Sequence, residues 1–153
     1  MFKIRQPQLD DFSKLEPLFK DHPQFIYLNK NKLICCIQNF IPPNLRILPS
    51  IHLALEDNNI VGFIILSSVS RANNSWQINE VFVLDDIRKQ GIGEEIVRYA
   101  LSVYGGSGVE HFLAEVDSQN FPALSLFHQC GFRRYAKVYF YEKKDIGIDS
   151  EAV

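Results

Sequence analysis

The chain has little that would tie it to a membrane, a nucleic acid or an oxidising compartment. It has three cysteines, Cys35, Cys36 and Cys130, and no CxxC pair. An odd count makes a poor disulfide framework. The expectation is buried, reduced thiols acting as small apolar residues in a cytoplasmic setting. Residues 1–11, MFKIRQPQLDD, carry charge where a secretory leader has an apolar stretch. The longest apolar run, residues 60–66, contains Gly62 and falls far short of the ~20 residues of a membrane span. With 16 basic and 18 acidic residues the formal net charge is −2, so nothing draws the chain to nucleic acid or anionic lipid. His22, His52 and His111 have no metal-ligand spacing, and no metal is expected. Internal repeats and low-complexity tracts are also missing.

What is present is apolar and aromatic. Hydrophobic residues make up 46%, with Phe 12 and Tyr 6, enough for one core in 153 residues. One domain over residues 1–145 is expected, with a disordered tail over 146–153.

The periodicity alternates between two and 3.6. Residues 2–5 alternate like a short strand. Asp10 or Asp11 is placed to cap a helix carrying Phe12, Leu15, Leu18 and Phe19. A second helix is expected over 33–40. Residues 51–55 and 60–67 read as a hairpin around Asp57-Asn58-Asn59, which tolerate positive φ. Residues 76–83 form the next strand, but its alternation slips. Trp76 and Ile78 share one face, and Val81 and Val83 the other. One extra residue, a β-bulge, would reset the faces and splay the strand from its neighbour. A helix follows over 91–104, ended by the glycine tract 105–108, which is read as a flexible link. Then come a strand over 110–116 and a helix over 120–130. That helix has Pro122 in its first turn and Gly131 as terminator. A last strand is expected over 135–141. Strands alternating with helices predict an α/β (α+β) domain with a mixed sheet.

The segment Arg88-Lys89-Gln90-Gly91-Ile92-Gly93 separates the strand ending at Val83 from a helix. A helix N-terminus presents unpaired N–H groups and partial positive charge, which suits phosphate. Glycines let the backbone approach an anion. Alone, this marks an anion-compatible loop and no more. It is neither a P-loop, which needs GxxxxGK[ST], nor a dinucleotide fingerprint, since Ile96 stands where the third glycine belongs.

A second block accompanies it: Val116, Asn120-Phe121-Pro122-Ala123-Leu124-Ser125-Leu126-Phe127, then Gly131-Phe132. Together the two resemble the GNAT superfamily of N-acetyltransferases, through its [RQ]-x-x-G-x-[GA] motif and its V-x-x-x-N-x-x-A-x-x-L-[YF]-x-x-x-G-F motif. The resemblance implies a mixed, splayed sheet of about six to seven strands flanked by about four helices. It implies acetyl-CoA as cosubstrate. The donor's pantetheine arm would pair with the backbone near Phe82 and Val83. Its pyrophosphate would lie on Arg88, Lys89, Gln90, Gly91, Ile92, Gly93 and Glu94, with Asn120 and Phe127 beside the arm. Glu94 and Glu95 suit the helix dipole but must point away from that anion.

The implied reaction is direct attack of a primary amine, from a small molecule or a protein amino group. Such attack needs a neutral amine, stabilisation of the developing oxyanion and a proton for the thiolate. Glu80 is the candidate base, with Glu115 and Asp117 as weaker ones. Many relatives carry Tyr where Phe127 stands, and Phe donates no proton. Tyr139 is the candidate acid, with Tyr135, Tyr141 and His128 as others. The alternative is a non-catalytic acyl-CoA-binding module of the same fold. A monomer or homodimer is expected.

Overall fold

The hairpin around residues 57–59 forms because Asp57 and Asn58 take left-handed backbone, at φ 48° and 66°, as a two-residue connection between twisted strands requires. It joins β2 (Ser50–Glu56) to β3 (Asn59–Ser70). The computed structural model describes residues 2–21, 50–70 and 74–134. Within them β1 (Lys3–Arg5), β4 (Ser75–Val83) and β5 (His111–Ala114) complete a five-stranded sheet in the order β1-β2-β3-β4-β5. All pairings are antiparallel except β4 with β5, which is parallel. Three α-helices flank the sheet: α1 (Phe12–Asp21), α2 (Ile92–Gly106) and α3 (Phe121–Gln129). This is the mixed α/β class expected, with five strands and three α-helices among the described residues. The helix expected over 33–40, the strand over 135–141, Cys35, Cys36 and the tail lie outside the described residues. No helix among the described residues is long and apolar enough to cross a membrane.

Both faces of the sheet are buried. On one, Leu15 of α1 meets Leu53, Phe63, Ile65 and Phe82. On the other, Ile92, Ile96, Val97 and Ala100 of α2 cover Ala54, Ile64, Leu66 and Ile78. Successive residues of β3 go to opposite clusters, as period two dictates for a strand buried on both sides. Each large side chain fully buried there contributes ~1.5–3 kcal/mol. Gly62 lets the layers close: a Cβ there would stand 2.6 Å from the Phe82 carbonyl oxygen and 3.0 Å from Ile96 Cδ1.

Asp10 or Asp11 is expected as the cap, but the N-cap of the helical start is Gln8, and Asp11 stands at N3 as the second half of a capping box. Its Oδ2 accepts the Gln8 N–H at 2.7 Å and closes the 3₁₀ turn Leu9–Asp11 that leads into α1. Asp11 is buried and takes a two-pronged hydrogen bond from Arg5, at 2.6 and 3.0 Å. That bond holds the carboxyl below its ordinary pKa. Strand β1 and helix α1 are thereby tied together. The glycine tract at 105–108 corrects its reading as a link. Helix α2 runs through Gly105 and Gly106, and Gly108, at φ 92°, lies beyond its end.

Candidate active site

The sheet opens where the alternation of β4 slips. Glu80 pairs with Ile65, but the next pair is Ile78 with Leu66, so Asn79 is the inserted residue of a bulge. The expected reset of faces follows. Trp76, Ile78, Val81 and Val83 all pack in the α2-side cluster, and Phe82 packs in the α1-side cluster. Glu80, two residues before Phe82, shares the α1 side. Its pKa is raised, because burial disfavours the carboxylate. On the other edge, β4 pairs with β5 only from Ser75 with His111 to Ile78 with Ala114. The strand expected over 110–116 is therefore four residues, His111–Ala114. Beyond Ile78, β4 has no ladder partner in β5. Leu84 N–H donates to the Val61 carbonyl at 3.0 Å. By alternation, Phe82 and Leu84 turn their backbone groups toward β3, and Val81 and Val83 turn theirs to the open edge.

The loop after β4 folds back on it. Arg88 Nε donates to the Val83 carbonyl at 3.0 Å, and Arg88 Nη2 pairs with Asp85 at 2.8 Å. The guanidinium thus braces the loop against the strand end, with its charge offset by Asp85. Lys89 and Gly91 both take positive φ, 66° and 82°. Gly91 is the N-cap of α2, and the first i→i−4 bond is donated by Glu95 to the Gly91 carbonyl at 3.0 Å. The amides of Ile92, Gly93 and Glu94 precede it and are turned out of the helix end. A Cβ on Gly91 would meet no atom within 4 Å. Gly93 differs: its Cβ would lie 3.4 Å from Leu126 and 3.7 Å from Val83 Cγ2. Gly93 is where α2, α3 and the end of β4 converge. Glu94 turns away along the helix, pairing with Arg98 at 2.8 Å. Arg98 in turn donates to the Gln129 carbonyl at 2.9 Å and staples α2 to α3.

Helix α3 starts at Asn120, whose Oδ1 accepts the Ala123 N–H at 3.2 Å. It ends at a left-handed Gly131, φ 89°. Gly131 N–H donates to the His128 carbonyl at 3.0 Å and Phe132 N–H to the Phe127 carbonyl at 2.9 Å. This is the pairing of a Schellman close, with the accompanying apolar contact: the Phe127 and Phe132 rings meet edge-on at 5.1 Å. Cys130 is buried, as its reading predicted, and its thiol is pushed up by that burial. Tyr135, Tyr139 and Tyr141 lie outside the described residues.

The model of the acetyltransferase (GNAT) family matches residues 9–132. The chain belongs to that family. It is 28% identical over 134 residues to the uncharacterised N-acetyltransferase YhfO of Bacillus subtilis (strain 168), covering 84% of this chain and 88% of the relative. Its fold is that of the PaiA N-acetyltransferase of Thermoplasma acidophilum solved with coenzyme A, at TM-score 0.69 and 16% identity, over 90% of this chain and 93% of that one. AAC(6′)-Iy, solved with the bisubstrate analogue CoA-S-monomethyl-acetylneamine, also has TM-score 0.69 and 16% identity, over 94% and 99%.

As a GNAT acetyltransferase, the chain uses acetyl-CoA as its cosubstrate. The residues present fit that donor. The left-handed Gly91, the amides facing out of α2 and the stretch of β4 that β5 leaves after Ile78 are compatible with a pyrophosphate on an amide-bearing arm. Sequence reasoning missed Ser67, whose hydroxyl meets the Asn79 amide, and Arg98. Asn79 was signalled by the slipped alternation of β4, but no local pattern marks a staple between two helices.

Proposed function

We propose that this GNAT acetyltransferase acetylates a primary amine by direct attack, with Glu80 as the base that takes the proton of the acceptor. The observation that carries the reading is the parting of β4 from β5 after Ile78. Among the described residues β4 beyond that point has unlike sides. Toward α2 lie Val81, Val83 and the phosphate loop, and toward α1 lies Glu80. A donor entering from one side and an acceptor from the other would meet at the edge of β4. Bound acetyl-CoA supplies an activated acyl group. Glu80 accepts a proton from the ammonium, and its raised pKa makes it a better base than an ordinary carboxylate. The Val83 N–H on the open edge is the proposed donor to the acyl oxygen as that oxygen gains charge. The amides of Lys89 through Glu94 are the proposed pyrophosphate site. Arg88 serves that site by bracing the loop, and Asn120 by capping α3. Tyr139 is the proposed proton source for the leaving thiolate, since Phe127 has no proton to give. The bisubstrate analogue seen with AAC(6′)-Iy joins CoA to an acetylneamine, which supports a small amine as acceptor. A protein amino group is the other class.

Thiol release from acetyl-CoA across a panel of a polyamine, an aminoglycoside and a peptide α-amine tests this. Saturable release with at least one acceptor is expected. Glu80→Gln should lower kcat with that acceptor about 100-fold and remove the acidic limb of its pH profile. If no amine raises release above hydrolysis, the amine reading is lost. A Glu80→Gln enzyme with wild-type turnover across pH removes Glu80 as the base.

A further inference from the structure

The bulge of β4 decides which face Glu80 occupies. Side chains of a strand alternate with period two, so one residue more or less flips everything beyond it to the other face. Were Asn79 paired as an ordinary ladder residue instead of bulged out, Glu80 would turn toward α2, among the apolar side chains of Ile64, Leu66 and Ile96. Val81 and Val83 would turn their backbone groups to β3 and leave the open edge. What fixes the inserted residue is therefore a functional question.

Asn79 is held across the strand pair. Its Nδ2 donates to Ser67 Oγ at 2.9 Å, and its Oδ1 lies 3.3 Å from the same hydroxyl. Ser67 pairs in register with Gln77, so its side chain reaches along the strand to find Asn79. Both are half-buried, as is Glu80. Ile65 opposite Glu80 is apolar, and Ser67 and Asn79 are uncharged. We propose that Ser67 and Asn79 are positioning residues, their hydrogen bond pinning the bulge so that Glu80 stays on the acceptor side and the Val83 N–H stays on the open edge. Their catalytic part rests on the reading of Glu80 as base. Their effect on the Glu80 carboxyl does not.

The test uses ¹³C-labelled full-length protein and follows the Glu80 carboxyl through a pH titration, with its signal identified by its loss in Glu80→Gln. In Ser67→Ala and Asn79→Ala the bulge slips and carries the carboxyl among the apolar side chains of the α2 side, so its midpoint should rise further above the wild-type one. Ser67→Thr, which keeps the hydroxyl, should titrate as the wild type does. With the best acceptor of the panel, both alanine variants should lose about tenfold in kcat, the worth of one ~1.4 kcal/mol interaction. Thermal unfolding establishes that each variant is folded. Ser67→Ala removes a single hydroxyl and carries the test alone if Asn79→Ala does not fold. A wild-type Glu80 midpoint in folded Ser67→Ala overturns the proposal. Loss of the Glu80 reading has a different signature: Glu80→Gln turns over normally while the alanine variants still shift the carboxyl.

Discussion

At the scale of single residues, the two glycines of the phosphate loop look equivalent in sequence and differ in structure. Gly91 is required by its backbone, at φ 82°. At Gly93 the neighbours set the limit instead, with α3 and β4 at 3.4 and 3.7 Å from where a Cβ would stand. These are ordinary contact distances for one methyl, which is why the motif admits glycine or alanine at that place. An L-residue in the left-handed region costs ~1–2 kcal/mol. Gly91→Ala should relax out of that conformation in the free protein and charge the cost against binding. Its Kd for acetyl-CoA, measured by calorimetry, is expected to rise about tenfold, while Gly93→Ala should stay within about twofold. Equal effects in both variants would remove the distinction. A motif fixes residue types at a spacing, and that much of the site was legible. Whether a missing Cβ serves a torsion, a ligand or a neighbouring helix depends on packing the motif does not contain. The same holds for Arg88, which reads as a cation for phosphate and is found bracing Val83 and Asp85.

At the scale of elements, legibility followed hydrogen-bonding range. The hairpin at residues 57–59 and the bulge in β4 could be read because each is encoded in a few adjacent residues. The length of β5 could not. Residues 110–116 keep a strand-like pattern, yet pairing ends at Ala114, because whether a strand continues depends on a neighbour that has already diverged. Helix α3 shows a local code working at both ends, with Asn120 capping its start and Gly131 closing it. The close also accounts for Phe127. Its ring is the apolar half of the Schellman contact with Phe132, a role phenylalanine fills as well as tyrosine does. Gly131→Ala should therefore strain the close by ~1–2 kcal/mol and lower Tm by about 4 °C. Gly131 sits at the far end of α3 from Asn120, so the Kd for acetyl-CoA should hold within about twofold. A large loss of binding at unchanged Tm would show that the α3 C-terminus belongs to the donor site instead.

At the scale of the whole molecule, Glu80, Asp11 and His52 are the perturbed groups among the described residues whose shifts bear on stability at and below neutral pH. Glu80 has a raised pKa, so its ionisation is easier in the unfolded chain and costs stability as pH rises past the ordinary carboxylate value. Glu80→Gln is expected to raise Tm slightly at neutral pH, the mark of a group kept for function. Asp11 has a lowered pKa, and its contribution is lost as pH falls below about 3.8. His52 acts earlier. It is 2% exposed. Its Nε2 bonds the Tyr104 hydroxyl at 2.9 Å, and its buried Nδ1 has no hydrogen-bond partner among the described residues. Burial lowers its pKa from 6.5, so between the folded and unfolded values the unfolded chain binds more protons. Stability from the neutral ring is fully present above pH 6.5 and is lost as pH falls through that value. A second ring proton would be a buried charge with no further acceptor among the described residues. The reporter is built in, because Trp76, the single tryptophan, lies 4.6 Å from the Tyr104 ring. Denaturant unfolding followed by Trp76 fluorescence should give a midpoint that falls steadily from pH 7 to pH 5. His52→Phe keeps the edge contacts with Tyr99 and Tyr104 and removes the titration. It should lose about 1 kcal/mol at pH 7 for the missing hydrogen bond and then hold that value to pH 5. A His52→Phe curve that falls in parallel with the wild type would move the acid sensitivity to another group.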